Sequence, residues 1–316
     1  MKEKNPVSAP RVQTVVGRFA PSPSGRMHLG NVFSALLAWL SVRAQGGTLI
    51  LRIEDLDPER CRPEYAAQLR DDLRWLGLSW DREEAPQSAR TAIYEQELEK
   101  LRAAGLLYPC YCTRRELHEA SAPHLSDGRV LYSGTCRNLT QAQRDEKKTR
   151  PAWRVTVPDE TVEFTDGLQG VYRENLAQDC GDFIVRRSDG VFAYQLAVVA
   201  DDARMGVTEV VRGWDLLSST PRQLYLYRLL GYTPPKFYHV PLLVAPDGRR
   251  LSKRDRDLDL GVLRRSMDAE ALLGRLAQLA GLLEQPERIS ARELCTVFSW
   301  SKVKRQREIV VSAPFL

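Results

Sequence analysis

Apolar positions along the chain alternate between two periods. Residues 12–19, Val-Gln-Thr-Val-Val-Gly-Arg-Phe, read as a buried strand. Residues 31–44 switch to helical spacing, with Val32, Leu36, Trp39 and Leu40 on one face and Ala35 beside them. Gly46-Gly47 ends that helix, and residues 48–53 form a second short apolar strand. Pro63 suits the first turn of the next helix, which carries Leu69, Leu73 and Leu76 at i, i+4 and i+7. Residues 91–107 read as a further helix. Strand, helix, strand, helix at this pace predicts parallel βαβ units, and so an α/β, doubly wound, Rossmann-like sheet.

From Tyr108 the texture changes to cysteines, turns and short strands such as residues 153–157 and 170–172. This stretch reads as an α+β insertion. Apolar strands resume at Phe183-Ile184-Val185 and again at Glu209-Val210-Val211. A helix follows over residues 221–230 with Leu226, Leu229 and Leu230, and the tail from Gly261 is helical with Leu272, Leu276 and Leu279. The expected organisation is residues 1–107 and 182–260 as two halves of a nucleotide-binding domain. Residues 108–181 are the insertion and 261–316 a short helical C-terminal region. No internal repeat or low-complexity segment interrupts it.

Composition adds limits. At 316 residues the chain can bury a sizeable core, and 43% hydrophobic with 28% charged residues is ordinary for a globular protein. A net charge of +5 permits an RNA partner without requiring one. No run of eighteen apolar residues offers a membrane span, and the polar start of the chain lacks a signal-peptide core. Six cysteines are too sparse for a disulfide scaffold, so a reducing cytoplasm is the expected compartment, and a monomer the expected state.

The chemistry concentrates in two loops. Pro21-Ser22-Pro23-Ser24-Gly25-Arg26-Met27-His28-Leu29-Gly30 runs directly into a helix. Prolines hold such a loop extended, Gly25 and Gly30 admit a ligand close to backbone, and a helix N-terminus attracts phosphate. His28 alone reads as a surface loop histidine; in this setting it reads as a donor to a phosphate oxygen. About two hundred residues later, Arg249-Arg250-Leu251-Ser252-Lys253-Arg254 follows the turn pair Asp247-Gly248. In isolation it is a solvated charge run; as a basic loop it can close over a triphosphate.

Together these stretches resemble the two ATP-handling signatures of class I aminoacyl-tRNA synthetases, in the form carried by the glutamate and glutamine enzymes. Leu29 stands for a commoner isoleucine and Asn31 where the first signature often ends in histidine. The basic loop is similar to the family's Lys-Met-Ser-Lys-Ser loop, with Leu251 for methionine and Arg254 for the last serine. The resemblance implies a class I catalytic domain in which His28, Gly30 and Lys253 handle ATP, with Mg²⁺ accompanying it, and His28 and Lys253 act in catalysis.

Arg18 and Glu54 lie at the ends of the first two strands, where ligands sit in an open α/β sheet. They can hold a carboxylate and an α-ammonium group, or pair with each other. By resemblance, Arg18, Phe19, Ala20, Pro21, Ser22, Glu54, Tyr194 and Arg212 match positions that hold L-glutamate. Two arginines favour an acidic substrate over its neutral amide. Cys110, Cys112 and Cys136, with Tyr132, read either as a tetrahedral Zn²⁺ set or as ordinary buried cysteines. The resemblance implies zinc bound by Cys-x-Cys and Tyr-x-x-x-Cys, while His118 and His124 are alternatives to Tyr132. Cys61, Cys180 and Cys295 read as structural.

The resemblance covers about residues 12–260. A full glutamyl-tRNA synthetase carries a further anticodon-binding region of domain size, ~100 residues or more. Only a helical remnant and a basic stretch, residues 302–307, follow here, the stretch reading as a solvated helix face or a phosphate-contact patch. If the chain is complete, it is similar to the family of short paralogues, the glutamyl-queuosine tRNA(Asp) synthetases. These activate glutamate and transfer it to queuosine in the anticodon loop of tRNA(Asp). A glutamyl-tRNA synthetase fragment charging tRNA(Glu) and a non-catalytic RNA-binding module are the other readings.

Overall fold

The computed structural model describes residues 14–113, 116, 131–249 and 259–311. Its centre is a five-stranded parallel sheet of β1 (Val16–Phe19), β2 (Thr48–Leu51), β3 (Arg82–Glu83), β9 (Glu209–Gly213) and β10 (Lys236–Val240). The strand order is β10-β9-β1-β2-β3. Side chains alternate through the sheet as a strand dictates. In β2, Leu49 and Leu51 join one buried cluster while Ile50 joins the other, and in β9 Val211 and Val210 divide in the same way. Both faces are therefore covered, as a parallel sheet requires. Helix α1 (Leu29–Ala44), helix α2 (Pro63–Trp75) and the C-terminal helices cover one face. Helix α3 (Thr91–Ala103) and the helices Tyr194–Arg204 and Thr220–Leu230 cover the other.

Several boundaries differ from the periodicity. Helix α1 begins at Leu29 rather than residue 31. His28 takes the N-cap position in extended backbone, its N–H donating to Asn31 Oδ1 at 3.2 Å. Helix α3 stops at Ala103 instead of reaching residue 107. The Leu106 N–H turns back to the Leu101 carbonyl at 3.0 Å, and Leu107 opens β4 (Leu107–Cys110).

The stretch expected to resume the parallel winding, Phe183-Ile184-Val185, does not do so. It forms β8 (Phe183–Arg186), which pairs antiparallel with β5 (Ala152–Val155) in a separate sheet of order β4-β5-β8. Asp182 explains the placement. It is buried and accepts from Tyr108 Oη (2.6 Å), Arg137 Nε (2.7 Å) and the Val157 N–H (2.8 Å), so the strand after it is tied to the antiparallel layer. A separate hairpin, β6 (Thr161–Asp166) and β7 (Gly170–Asn175), packs against β10 and the helix Thr220–Leu230.

The tail holds helices Leu260–Ser266, Ala269–Ala280 and Ala291–Val297, then a strand that periodicity does not reveal. This is β12 (Glu308–Val310), parallel to β11 (Leu242–Val244). Residues 302–307 are loop, not a helix face; the Lys304 N–H donates to the Ala280 carbonyl at 2.9 Å. Among the described residues no helix is long and apolar enough to cross a membrane.

Helix α1 is central to the fold: Leu29, Phe33, Leu36, Leu37 and Leu40 have no exposed surface. Leu36→Ala removes packing on the face shared by the sheet and the C-terminal helices. It is expected to cost about 2–5 kcal/mol, read as a lowered urea midpoint with an unchanged m-value.

Candidate active site

Strand β1 leads to β2 on one side of the sheet, while β9 and β10 are added on the other, so the strand order reverses between β1 and β9. A crevice outside the C-terminal ends of the strands at such a point is the usual ligand site of an open α/β sheet. Here a cavity of about 630 Å³ opens at that place. It is lined by Arg18, Phe19, Ala20, Pro21, Ser22, His28, Gly30, Glu54, Tyr194 and Arg212, so every described residue expected to hold glutamate or ATP faces one space. Lys253 and its loop lie outside the described residues, as do His118 and His124. Gly30 lies close to the His28 side chain: a Cβ there would stand 3.2 Å from the ring, so the imidazole would have to give way slightly.

Beneath the cavity lies a buried charge network. The Arg52 guanidinium, with no exposed surface, donates to Asp202 Oδ1 (2.6 Å) and Glu54 Oε1 (2.9 Å) and lies 3.8 Å from Asp201. Burial opposes its charge, but Asp202, Glu54 and Asp201 together raise its pKa. Arg18 donates to the Val211 carbonyl (3.2 Å) and lies 3.6 Å from Asp202. Arg18 and Glu54 therefore do not pair with each other; each has its own partner, and both still face the cavity. Burial pushes the Glu54 carboxyl above its ordinary pKa, with Arg52 pulling the other way.

Arg212 is built differently. Its Nε donates to His239 Nε2 (2.9 Å), Nη1 to Gln223 Oε1 (2.8 Å) and Nη2 to Thr220 Oγ1 (2.8 Å) and the Leu216 carbonyl (3.4 Å), with Tyr194 Oη at 3.5 Å from Nη1. It is 5% exposed, and among the described residues no carboxylate pairs with it. Burial lowers its pKa. His239 in turn meets Asp166 Oδ2 through Nδ1 at 2.6 Å. Burial lowers the His239 pKa to about 4 against the pull of Asp166, with Arg212 adding to the lowering.

Asp166, His239, Gln223, Thr220, Arg52 and Asp202 were not among the expected site residues. A lone histidine inside the apolar strand Lys236–Val240 was the available signal for His239. Asp166 lies far away in the chain and gave none.

The cysteine cluster forms as well. The Sγ atoms of Cys110, Cys112 and Cys136 lie within 4.8 Å of one another, Cys112 and Cys136 at 3.6 Å. The Tyr132 hydroxyl is 3.5 Å from Cys110 Sγ and accepts the Cys136 N–H at 2.8 Å. Tetrahedral thiolates at ~2.3 Å from zinc stand close to ~4 Å apart, so the three sulfurs fit that ion. Cys61, Cys180 and Cys295 form no disulfide and lie outside the cluster.

Residues 14–312 match the family model for tRNA synthetases class I (E and Q), catalytic domain. A glutamyl-Q tRNA(Asp) synthetase of Symbiobacterium thermophilum is 49% identical over 306 residues, covering 92% of this chain and 94% of that protein. One from Nitratidesulfovibrio vulgaris is 52% identical over 282 residues, covering 84% and 86%. Among solved structures, a glutamate tRNA ligase of Elizabethkingia meningosepticum in complex with its amino acid superposes with a TM-score of 0.81 at 29% identity. The overlap spans 95% of this chain and 68% of that one. With a parallel sheet, a cavity at its switch point and these relatives, the chain belongs to the class I glutamyl and glutaminyl tRNA synthetase family, alongside the glutamyl-Q tRNA(Asp) synthetases.

Proposed function

We propose that this protein activates L-glutamate with ATP and transfers the glutamyl group to the queuosine base in the anticodon loop of tRNA(Asp). The relatives' names support the substrates. The observation that carries the reading within this chain is Arg212: a buried guanidinium at the cavity wall, held by neutral groups, with no carboxylate partner among the described residues. A cation in that position costs desolvation that an incoming carboxylate recovers.

In the first step an oxygen of the glutamate α-carboxylate attacks the α-phosphorus of ATP. The bond to the β-phosphate oxygen breaks, giving glutamyl-adenylate and pyrophosphate. In the second step a queuosine hydroxyl attacks the acyl carbonyl, loses its proton and expels AMP. No protein nucleophile is needed. Glu54, at the cavity wall and anchored by Arg52, receives the α-ammonium group. Arg18, Phe19, Ala20, Pro21, Ser22 and Tyr194 complete the glutamate pocket, with Arg212 receiving the side-chain carboxylate. A neutral glutamine amide would leave the Arg212 charge unmatched.

His28 and the first turn of α1 face the triphosphate, accompanied by Mg²⁺, and Lys253 supplies positive charge to the leaving pyrophosphate. Preorganised donors of this kind are typically worth roughly 3–4 kcal/mol each. Cys110, Cys112, Cys136 and Tyr132 would hold Zn²⁺, which would pin the end of β4 to the segment after Tyr132. The ion's part there would be structural.

Labelled glutamate with ATP is expected to mark queuosine-containing tRNA(Asp). Label on queuosine-lacking tRNA(Glu) would instead identify a conventional charging enzyme, and no glutamate-dependent pyrophosphate exchange would leave only a binding module. Arg212→Ala is expected to lower glutamate-dependent exchange on the order of 10²-fold, the scale of removing one partner from a buried charge contact. Elemental analysis should find one zinc per chain, lost in Cys136→Ser while exchange persists in part; a metal-free wild-type protein would remove the zinc assignment.

A further inference from the structure

His239 and Arg212 sit side by side, at the same register on the parallel strands β10 and β9. The His239 ring is fully enclosed, and its Nε2 lies 2.9 Å from Arg212 Nε. A guanidinium Nε always carries its hydrogen, so His239 Nε2 must be the acceptor. The imidazole proton is then on Nδ1, where Asp166 Oδ2 accepts it at 2.6 Å. The other Asp166 oxygen is taken by the N–H groups of Leu168 (3.0 Å), Gln169 (2.9 Å) and His239 itself (3.2 Å). Each donor and acceptor between Asp166 and Arg212 thus has one role, and an imidazolium would set donor against donor at Arg212.

We propose that Asp166 and His239 are positioning residues for Arg212. The ring fixes the guanidinium while separating it from the Asp166 carboxylate, so the arginine charge stays available to an acidic substrate side chain. Direct contact with Asp166 would satisfy the same hydrogen bond but neutralise the charge. With the ring between them, the groups on Arg212 are an imidazole, an amide, two hydroxyls and a carbonyl. The burial that keeps His239 neutral is consistent with this. Asp166 ends β6 of the inserted hairpin, and the Gly167 N–H next to it donates to the Phe237 carbonyl of β10 at 2.8 Å. A Cβ on Gly167 would fall 2.1 Å from the Tyr238 ring, so only glycine lets the hairpin approach this closely. The insertion thus reaches through β10 to the glutamate pocket. The inference rests on the reading of Arg212 as the ligand for that carboxylate.

Asp166→Asn tests it. An amide nitrogen facing Nδ1 drives the ring proton to Nε2, opposite the Arg212 donor. The glutamate KM in pyrophosphate exchange is expected to rise about tenfold or more, with the ATP KM within about twofold and weakened preference for glutamate over glutamine. His239→Gln keeps an oxygen acceptor for Arg212 and is expected to retain most of the wild-type glutamate KM, whereas His239→Leu should behave like Asp166→Asn. Nitrogen-15 spectra of the wild-type protein, which has four histidines, need no variant to fold. They should show the His239 ring neutral with its proton on Nδ1 at pH 7. A proton on Nε2, a cationic ring, an unchanged glutamate KM in folded Asp166→Asn, or equal behaviour of the Gln and Leu variants would each overturn the proposal. Wild-type protein without glutamate-dependent exchange would defeat the functional reading instead, and the tautomer would still decide this one.

Discussion

The Arg52 guanidinium, shut away from water between Asp202 and Glu54, sets the arrangement of the other charges at the rim of the sheet. Three carboxylates and two arginines cannot be buried together unless each finds a partner. Arg52 supplies one for Asp202, Glu54 and Asp201 at once. Asp201 is further held by Gln87, Arg90 and Tyr94, and Asp202 reaches Arg18. The result is a rigid floor. Glu54 and Arg18 are aimed before any ligand arrives, because their positions are consequences of the network beneath them rather than of a surface loop. Preorganisation of this sort lowers the cost of binding.

Arg212 breaks the pattern. The arginines of the floor have carboxylates of their own. Arg212 has hydrogen bonds but no carboxylate in contact with it among the described residues. Geometry is satisfied while electrostatics is left open, and that combination suits a group that recognises an anion. His28 adds a further fixed point, since its backbone starts α1 and its N–H is tied to Asn31. The two ends of the cavity are thus anchored on the central elements of the fold.

What could be read in the sequence follows the range of the forces involved. The alternation of β1, α1, β2 and α2 was legible because each element declares itself locally, through apolar spacing and through Pro63 at a helix start. The two-residue offset of α1 came from a capping contact, which period alone does not encode. Apolar spacing puts β8 in the wrong sheet because three residues of apolar sequence carry no information about partner; the buried Asp182 contacts decide it. Strand β12 was invisible for the same reason, being three residues that gain their form from β11. In the site, Arg18 and Glu54 could be found from strand ends. Asp166 could not, since it stands 73 residues from His239 and only the hairpin's return brings the two together.

The hairpin contact has a consequence for how such chains can be rebuilt. An inserted layer is commonly treated as an interchangeable module, to be cut out or exchanged between relatives. Here its tip is hydrogen-bonded into β10, and Asp166, at the end of β6, holds the ring that holds Arg212. Excising the layer leaves a buried histidine without an acceptor, and grafting a different one sets a new partner against it. The boundary drawn by chain order therefore does not bound the cavity: the hydrogen bonds that hold Arg212 at its wall run on into the hairpin.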